Sequence, residues 1–363
     1  MTHTPHAALQ ALALEAGWKR WAARRTLLLR LPESVGDLGE VVDGVDAFAQ
    51  GTTNGDDLFW ARELLRRVAR GEVAGVASGD AVAAARVRAG VLAEALLGRH
   101  RPEERAALQR SLDAQGLWRT LPAGTRRVGT PDGEDEDERP AHTVTLLRPL
   151  QMLAVPVTWA MYERFDPGHA AARESFDGRC PADAQDDHPV YTVTWHAAVA
   201  FADWLGARLP LEAEWEVACR ANTTTRYWSG DTEADLAAVG WTRDNAGGHP
   251  HPVASPPTPR GHAHPWGLYD MHGNVWEWCL DPGVSSYQGR EAGVTLDPNG
   301  PQLAVQGRGV VNMTDDLTAA RVIRGGSWNS HADDARSAYR DATGPEFLWF
   351  YIGFRLVMPA LGC

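Results

Sequence analysis

Arg321-Val-Ile-Arg-Gly-Gly-Ser-Trp-Asn329, Arg336-Ser-Ala-Tyr-Arg340 and Ile352-Gly-Phe-Arg355 follow one another near the C-terminus, and their reading decides the fold. Between the last two lies Phe347-Leu-Trp-Phe-Tyr351, large apolar side chains where a polar loop is expected. Such a run is either a buried strand or a displayed adhesive surface. Gly344-Pro-Glu346 before it reads as a turn, and Ile352 and Phe354 after it already supply an alternating inward face. The pattern therefore favours exposure of Phe347 to Tyr351.

Working outward, two further stretches combine acidic and aromatic residues: Arg208-Leu-Pro-Leu-Glu-Ala-Glu-Trp-Glu-Val-Ala-Cys-Arg220 and Gly267-Leu-Tyr-Asp-Met-His-Gly-Asn-Val-Trp-Glu-Trp-Cys279. Thr194 to Cys219 predicts two helices. Trp195, Ala198, Phe201, Ala202 and Leu205 share the apolar face of the first, and the second opens at Pro210-Leu-Glu-Ala-Glu-Trp215. After Asp231 the chain predicts loops and short strands. From Leu117 onward Trp is frequent and Gly and Pro punctuate short segments, as in a compact fold built from irregular loops.

Before Leu117 the character differs. From Thr4 to about Gly116 the chain is rich in Ala, Leu and Arg. Leu58, Ala61, Leu64, Leu65 and Val68 recur at helical spacing over Asp57 to Arg70. Asp80 to Leu97 and Glu103 to Leu112 repeat the pattern, with Asp80 placed as an N-cap, Gly98 as a C-cap and Pro102 at a helix start. Gly44 to Asp57 reads as a loop. A helical N-terminal domain over residues 1–115 followed by a second domain over 116–363 is the expected organisation.

The chain has 363 residues, 44% of them hydrophobic, and a formal net charge of −12. That size predicts two or three domains with a sizeable core. The charge disfavours a nucleic-acid partner, which needs a concentrated basic surface. Nothing approaches the roughly 20 consecutive apolar residues of a membrane span, and Met1-Thr-His-Thr-Pro-His lacks the charged start and apolar run of a secretory signal, so the expected location is cytoplasmic. Lys19 is the sole lysine, a bias that fits a GC-rich genome such as a thermophile's. Cys180, Cys219, Cys279 and Cys363 are scattered without CxxC spacing, which predicts free thiols. The run Asp132-Gly-Glu-Asp-Glu-Asp-Glu-Arg139 predicts a solvated loop, because clustered like charges resist burial.

At these three motifs, and at Asp137-Glu-Arg-Pro-Ala-His142, His188-Pro-Val190 and Val193-Thr-Trp195, the chain resembles the formylglycine-generating-enzyme (sulfatase-modifying factor) family. The resemblance covers about residues 117 to 358. It implies an α+β architecture with a C-type lectin-like fold, here preceded by the helical N-terminal domain. Fold does not fix chemistry, so the ligands need separate inspection. The oxidases of this family hold copper through two cysteines after the Gly-Gly-Ser-aromatic motif, as suits a soft metal. Counting from that motif, the matching positions are Ser330 and Ala335, which supply no thiolate. A second branch, the ergothioneine-type sulfoxide synthases, holds iron by histidines from its helical domain. The helical region here has only His3, His6 and His100, with no pair at i, i+4 spacing. The resemblance therefore points away from enzymatic activity, with a diverged metal oxidase as the alternative.

In related proteins the segment around Asn274 and Glu277 can hold calcium, for which oxygen ligands suit a hard cation. The alternative is a hydrogen-bonded loop that orders Trp276 and Trp278. No cofactor is otherwise required. His249-Pro-His251 and His262-Ala-His264 are dense in imidazole, but their Pro-rich setting reads as an exposed loop rather than a zinc site. Ser330, His331 and Asp333 or Asp334 are neighbours in sequence, which does not make a catalytic triad. No Gly-rich phosphate loop with Lys is present.

The layout of residues 329–351 also resembles the variable proteins of diversity-generating retroelements, which place a hypervariable segment between Arg-Gly-Gly-Ser-Trp and Ile-Gly-Phe-Arg. Those systems randomise adenines, so an Asn codon can become most residues but never Lys, Gln, Glu or Met. Ser330, His331, Asp333, Asp334, Tyr339, Asp341, Thr343, Phe347, Leu348, Phe350 and Tyr351 all fall in the reachable set. Trp349 is reachable from an AGG Arg codon, and Glu346 would be framework. The expected function is recognition of a protein or other macromolecule through these residues, on a frame held by Trp195, Trp215, Trp276, Trp278 and Trp328, with Phe347, Trp349, Phe350 and Tyr351 as anchors. The N-terminal helices would engage an adaptor or signalling partner.

Overall fold

The computed structural model describes residues 38–72, 79–131, 135–173, 185–255, 263–288, 293–296, 303–306, 309–312 and 317–360. Cys180, Cys363, His3, His6, His262, Lys19, the start of the helical domain and the acidic residues 132–134 lie outside the described residues.

Among the described residues four helices come first: α1 (Leu38–Gly51), α2 (Gly55–Arg70), α3 (Asp80–Arg99) and α4 (Pro102–Ala114). The side chain of Asn54 accepts the Asp57 N–H at 3.1 Å and caps α2, which ends at Gly71 with φ 74° in the left-handed region. Its predicted apolar face is buried. Three expectations are corrected here. Most of the predicted loop over Gly44 to Asp57 is helical, because Val41, Val42, Val45 and Ala49 form a buried stripe in α1. Asp80 lies inside α3, with Gly79 as the cap and no side-chain cap bond. Gly98 does not end α3, which continues to Arg99 and is capped at His100.

The remainder is mixed. It contains β1 (Trp118–Leu121), β2 (Gly124–Val128), β3 (His142–Leu146), β4 (Leu150–Leu153), the one-turn α5 (Trp159–Tyr162), α6 (Trp195–Leu205), α7 (Glu212–Arg220) and the short α8 (Glu233–Ala237). Then follow β5 (Trp276–Pro282), β6 (Val294–Leu296), β7 (Leu303–Gln306), β8 (Gly309–Asn312), β9 (Arg321–Arg324), β10 (Arg340–Thr343), β11 (Ile352–Gly353) and β12 (Val357–Pro359). The sheet that carries the site has the order β10-β9-β5-β11, with β11 parallel to β5 through Ile352↔Trp276 and Gly353↔Glu277. A second sheet, β1-β4-β12, brings the beginning and end of this region together. The others are β2-β3-β6 and the β7-β8 hairpin.

Helix α6 starts where Thr194 Oγ1 accepts the Ala197 N–H at 3.0 Å and stops at Gly206, and its buried residues include the whole predicted face. The N-terminal helices dock on it. Gly55 sits so close to Tyr162, Phe165 and Ala197 that a Cβ would lie 2.9 Å from the first two. Gln109 Nε2 donates to the Leu205 carbonyl at 2.9 Å, and Trp204 Nε1 to that of His100 at 2.7 Å. Buried residues from α1 to α4 form one hydrophobic cluster with Trp159, Trp195, Phe201 and Trp278.

The quoted motifs are joined by buried arginine–glutamate pairs. Arg355 is bidentate on Glu277 at 2.6 and 2.7 Å, Arg340 on Glu212 at 2.6 and 2.9 Å, and Arg208 on Glu214 at 2.6 Å through both nitrogens. Arg324 pairs with Glu216. Burial pushes the Glu216 carboxyl up, but Arg324 and Arg220 outweigh it and hold it below its ordinary value. The acidic run is likewise corrected: Glu138 is fully buried and takes Arg336 at 2.6 Å, while Asp135 takes the same guanidinium at 2.8 Å. The charge cluster is tolerated because an arginine from the C-terminal motif neutralises it.

Candidate functional site

Strand β9 ends at Arg324, and Gly325 and Gly326 turn the chain with φ 97° and 72°. A Cβ on Gly326 would stand 3.1 Å from Ala335, so only glycine lets the two segments approach this closely. The loop that follows is pinned from inside. Ser327 Oγ and Ser330 Oγ lie 3.1 Å apart, and the Arg324 guanidinium donates to the Ala338 carbonyl at 2.7 Å. The neutral His272 ring donates from Nδ1 to the Ala335 carbonyl at 2.7 Å and accepts the Trp228 N–H on Nε2 at 3.0 Å. Burial holds its pKa down at about 3, so it stays neutral across the working range.

This loop, β10 and the run before β11 enclose a cavity of about 380 Å³. Ile323, Ser327, Ser330 and Ile352 are buried and form its floor. Trp276, Tyr339, Trp349 and Tyr351 supply rings to its walls, and Asn329, Asp334, Asp341, Ala342 and Thr343 complete it. Above the cavity Phe347, Trp349 and Tyr351, alternate residues, stack in series, with centroids 5.8 and 5.4 Å apart and planes at 29° and 15°. Phe347 and Leu348 are each 45% exposed and Trp349 38%. The run Phe347 to Tyr351 is irregular, with a turn at Phe350 and Tyr351, rather than a strand. The Tyr339 phenol is pushed up to about 12, by burial and then by Asp334 and Asp341, and the Tyr351 phenol is raised by burial and by Asp341.

Of the residues singled out from sequence, the fold gathers Ser330, Asp334, Tyr339, Asp341, Thr343, Trp349 and Tyr351 around the cavity. Others go elsewhere. His331 is exposed outside it, and Asp333 pairs with Arg226. Ser330 is a floor residue, 7% exposed, rather than a displayed one. Phe350 is half-buried against Trp328, with centroids 5.7 Å apart, and so anchors the rim instead of standing free. Sequence reasoning did not single out Trp276, Ser327 and Asn329 as lining residues. Trp276 is recoverable from the motif Gly-Asn-Val-Trp-Glu-Trp, which places it at the start of the central strand β5, opposite Ile352 of β11.

The residues do not fit the copper site of the family's oxidases. Ser330 presents a hydroxyl and Ala335 a methyl, and both are buried. Cys219 and Cys279, both free and buried, lie elsewhere: Cys219 Sγ is 3.9 Å from the His272 ring with its thiol pushed up to about 12 by burial, and burial also raises Cys279. Neither is a thiolate at neutral pH. His100 on the helical side donates from Nε2 to the Phe165 carbonyl at 2.8 Å and, among the described residues, belongs to no group of three potential metal ligands.

The pairing of Asn274 with Glu277 takes a different form from a cation cage. Both Glu277 oxygens bond Arg355, and Oε2 also accepts Trp215 Nε1 at 2.8 Å. Asn274, in the left-handed region at φ 60°, exchanges two bonds with the His251 backbone at 3.0 and 3.1 Å. These contacts order the tryptophan strand. The imidazoles also diverge: His251 stacks flat on Trp241 with centroids 3.6 Å apart, while His264 reaches the Cys219 carbonyl at 3.1 Å. Among the described residues, no three His, Cys, Asp or Glu side chains converge as a metal-ligand set, and no helix is long and apolar enough to cross a membrane.

Residues 112–360 match the family described as sulfatase-modifying factor enzyme 1-like domain. The chain is similar to the serine/threonine-protein kinase pkn1 of Chlamydia caviae, with 38% identity over 46% of this chain. It spans only about a quarter (24%) of that relative's length. It is also similar to the formylglycine-generating enzyme of Streptomyces coelicolor, with 33% identity over 65% of this chain and 87% of the enzyme. Among solved structures, Treponema denticola variable protein 1 superposes with a TM-score of 0.52 at 24% identity, covering 67% of this chain and 95% of that one, a likeness of fold.

Proposed function

Since the chain belongs to the sulfatase-modifying factor enzyme 1-like family, we propose that it is a non-enzymatic member that recognises a macromolecular ligand through the cavity and rim of residues 329–351, a segment diversified by a retroelement. The observation that carries this reading is the Phe347–Trp349–Tyr351 stack, exposed above a cavity whose lining comes largely from that one segment. Rings held by stacking lose little entropy on contact, which suits them to binding. Ser330 and Ala335, where the oxidases need thiolates, support the same reading. Arg336 and Arg340, inside the segment, tie it to Glu138 and Glu212, so the side chains around them can vary without loss of the frame.

The N-terminal helices, packed on α6, are proposed to pass binding to a signalling or adaptor partner. A cytoplasmic location fits that role. The test is in the flanking DNA: a reverse transcriptase gene and a near-copy of the 3′ coding end that differs only at adenines are expected, and their absence counts against diversification. The similarity to the Streptomyces coelicolor enzyme favours a second reading, a diverged oxidase. Stoichiometric copper with oxygen consumption by the purified protein would establish it.

A further inference from the structure

We propose that this cavity receives a cationic side chain, a guanidinium or ammonium group, carried by an apolar-flanked basic segment of a partner protein; the inference rests on the recognition reading above. Among the described residues, two carboxylates and four aromatic rings line the cavity, and no lysine, arginine or histidine does. Elsewhere the chain neutralises its buried glutamates with arginine, as at Glu138, Glu212, Glu214, Glu216 and Glu277. Asp334, half-buried, and Asp341, exposed, stand apart from those buried pairs. Asp334 accepts the His331 N–H at 3.0 Å and Asp341 the Ala342 N–H at 2.7 Å, and neither forms an ion pair with a described basic residue.

The neighbouring guanidinium does not fill the gap. Arg336 lies 5.2 Å from the Tyr339 ring centroid, but its nitrogens are spent on Glu138 and Asp135. The ring faces of Tyr339, Trp349 and Tyr351 are themselves electron-rich and attract cations. The Tyr339 and Tyr351 phenols are raised first by burial and then by the nearby aspartates, Asp334 and Asp341 for Tyr339 and Asp341 for Tyr351. An anionic ligand would be repelled, and a neutral one would gain nothing from the two carboxylates. A cavity of about 380 Å³ holds an arginine side chain with part of its backbone. The exposed Phe347, Leu348 and Trp349 extend the contact beyond the cavity, and a free small amine would leave them bare. That geometry favours a peptide source over a metabolite.

The test titrates the full chain with acetyl-arginine amide and with acetyl-citrulline amide, which has the same shape without the charge, by saturation-transfer NMR at millimolar concentrations. Acetyl-leucyl-arginine amide is added as a third probe. The expected result is a preference of about tenfold for arginine over citrulline, and tighter binding of the dipeptide. The preference should collapse in Asp341→Asn and Asp334→Asn, whose melting curves confirm folding. Equal binding of the first two probes, or a preference that survives both variants, overturns the inference. If that equal binding is still abolished by Trp349→Ala, the recognition face stands and only its charge selectivity falls. No transfer to any probe overturns the inference and weighs against the recognition reading as well. If the dipeptide gains nothing over arginine amide, the peptide source is overturned in favour of a free cation.

Discussion

Trp349 lies nearly parallel to Tyr351, with ring centroids 5.4 Å apart and planes at 15°, and both rings border the cavity, Trp349 the more exposed of the two. The two belong to the same five-residue run that could have been a buried strand. Its irregular backbone leaves Phe347, Leu348 and Trp349 at the surface, and the tests below follow from that difference between rim and frame.

Trp349→Ala is expected to change unfolding free energy by no more than about 1.5 kcal/mol, since it removes stacking from an exposed side chain. Trp276→Ala removes a ring that is 6% exposed in β5 and is expected to cost about 3–5 kcal/mol. Urea denaturation of both variants checks the contrast. Equal losses would mean that the rim is core.

Glu277→Gln leaves the Arg355 guanidinium buried without its counter-charge, with an expected cost of about 3–5 kcal/mol. Glu72→Gln, which removes one of the two carboxylates on the exposed Arg70, should change stability by less than about 1 kcal/mol. Replacing Glu277 and Arg355 together with methionine should recover part of the loss, because neither charge is then stranded. Denaturant midpoints distinguish these outcomes.

Arg336→Ala cuts the tie from Glu138 and Asp135 to the loop under the cavity. Amide exchange at Ala335, Ser337 and Tyr339, whose N–H groups bond within or beside this loop, should accelerate by about tenfold or more, while α6 is unchanged. Unchanged exchange at those three amides would show that the serine and His272 contacts suffice.

How much was legible in the sequence follows from the same residues. The motifs announced the fold because each arginine and glutamate in them has a partner in another motif: Arg355 with Glu277, Arg324 with Glu216, Arg340 with Glu212. The apolar periodicity of α2 and α6 was equally plain. The acidic run was misread because local charge repulsion says nothing of an arginine some 200 residues later in the chain. Gly44 to Asp57 was misread because its polar letters hid a buried valine stripe. The cavity was only half legible: Asp341 and Trp349 could be named, but that Ser330 lies beneath them and Phe350 turns inward toward Trp328 depends on loop geometry that no periodicity encodes.

Acid should destabilise the fold below neutrality. Burial holds His169 and His264 at about 4 and His272 at about 3, below the 6.5 of an unfolded chain. The unfolded state therefore takes the proton first. Their stabilisation is complete above pH 6.5 and is lost as pH falls toward 4, by on the order of 2 kcal/mol each between pH 7 and 5. Asp166 and Asp270, raised by burial from 3.8 to about 6, act in the opposite sense, because their protonated forms favour the fold as pH falls through 6. A net loss of a few kcal/mol between pH 7 and 5 is expected in urea titrations. A gain would contradict the neutral histidines.

The most direct test of the central claim is deep sequencing of the codons for residues 329–351 across many isolates or a growing population. Diversified recognition predicts substitutions at adenine-matched codons, concentrated at cavity and rim positions such as Asp334, Tyr339, Asp341, Trp349 and Tyr351, with Arg336, Arg340 and Glu346 invariant. An invariant segment, with Phe347 to Tyr351 unchanged throughout, would contradict it and return the chain to the enzymatic reading.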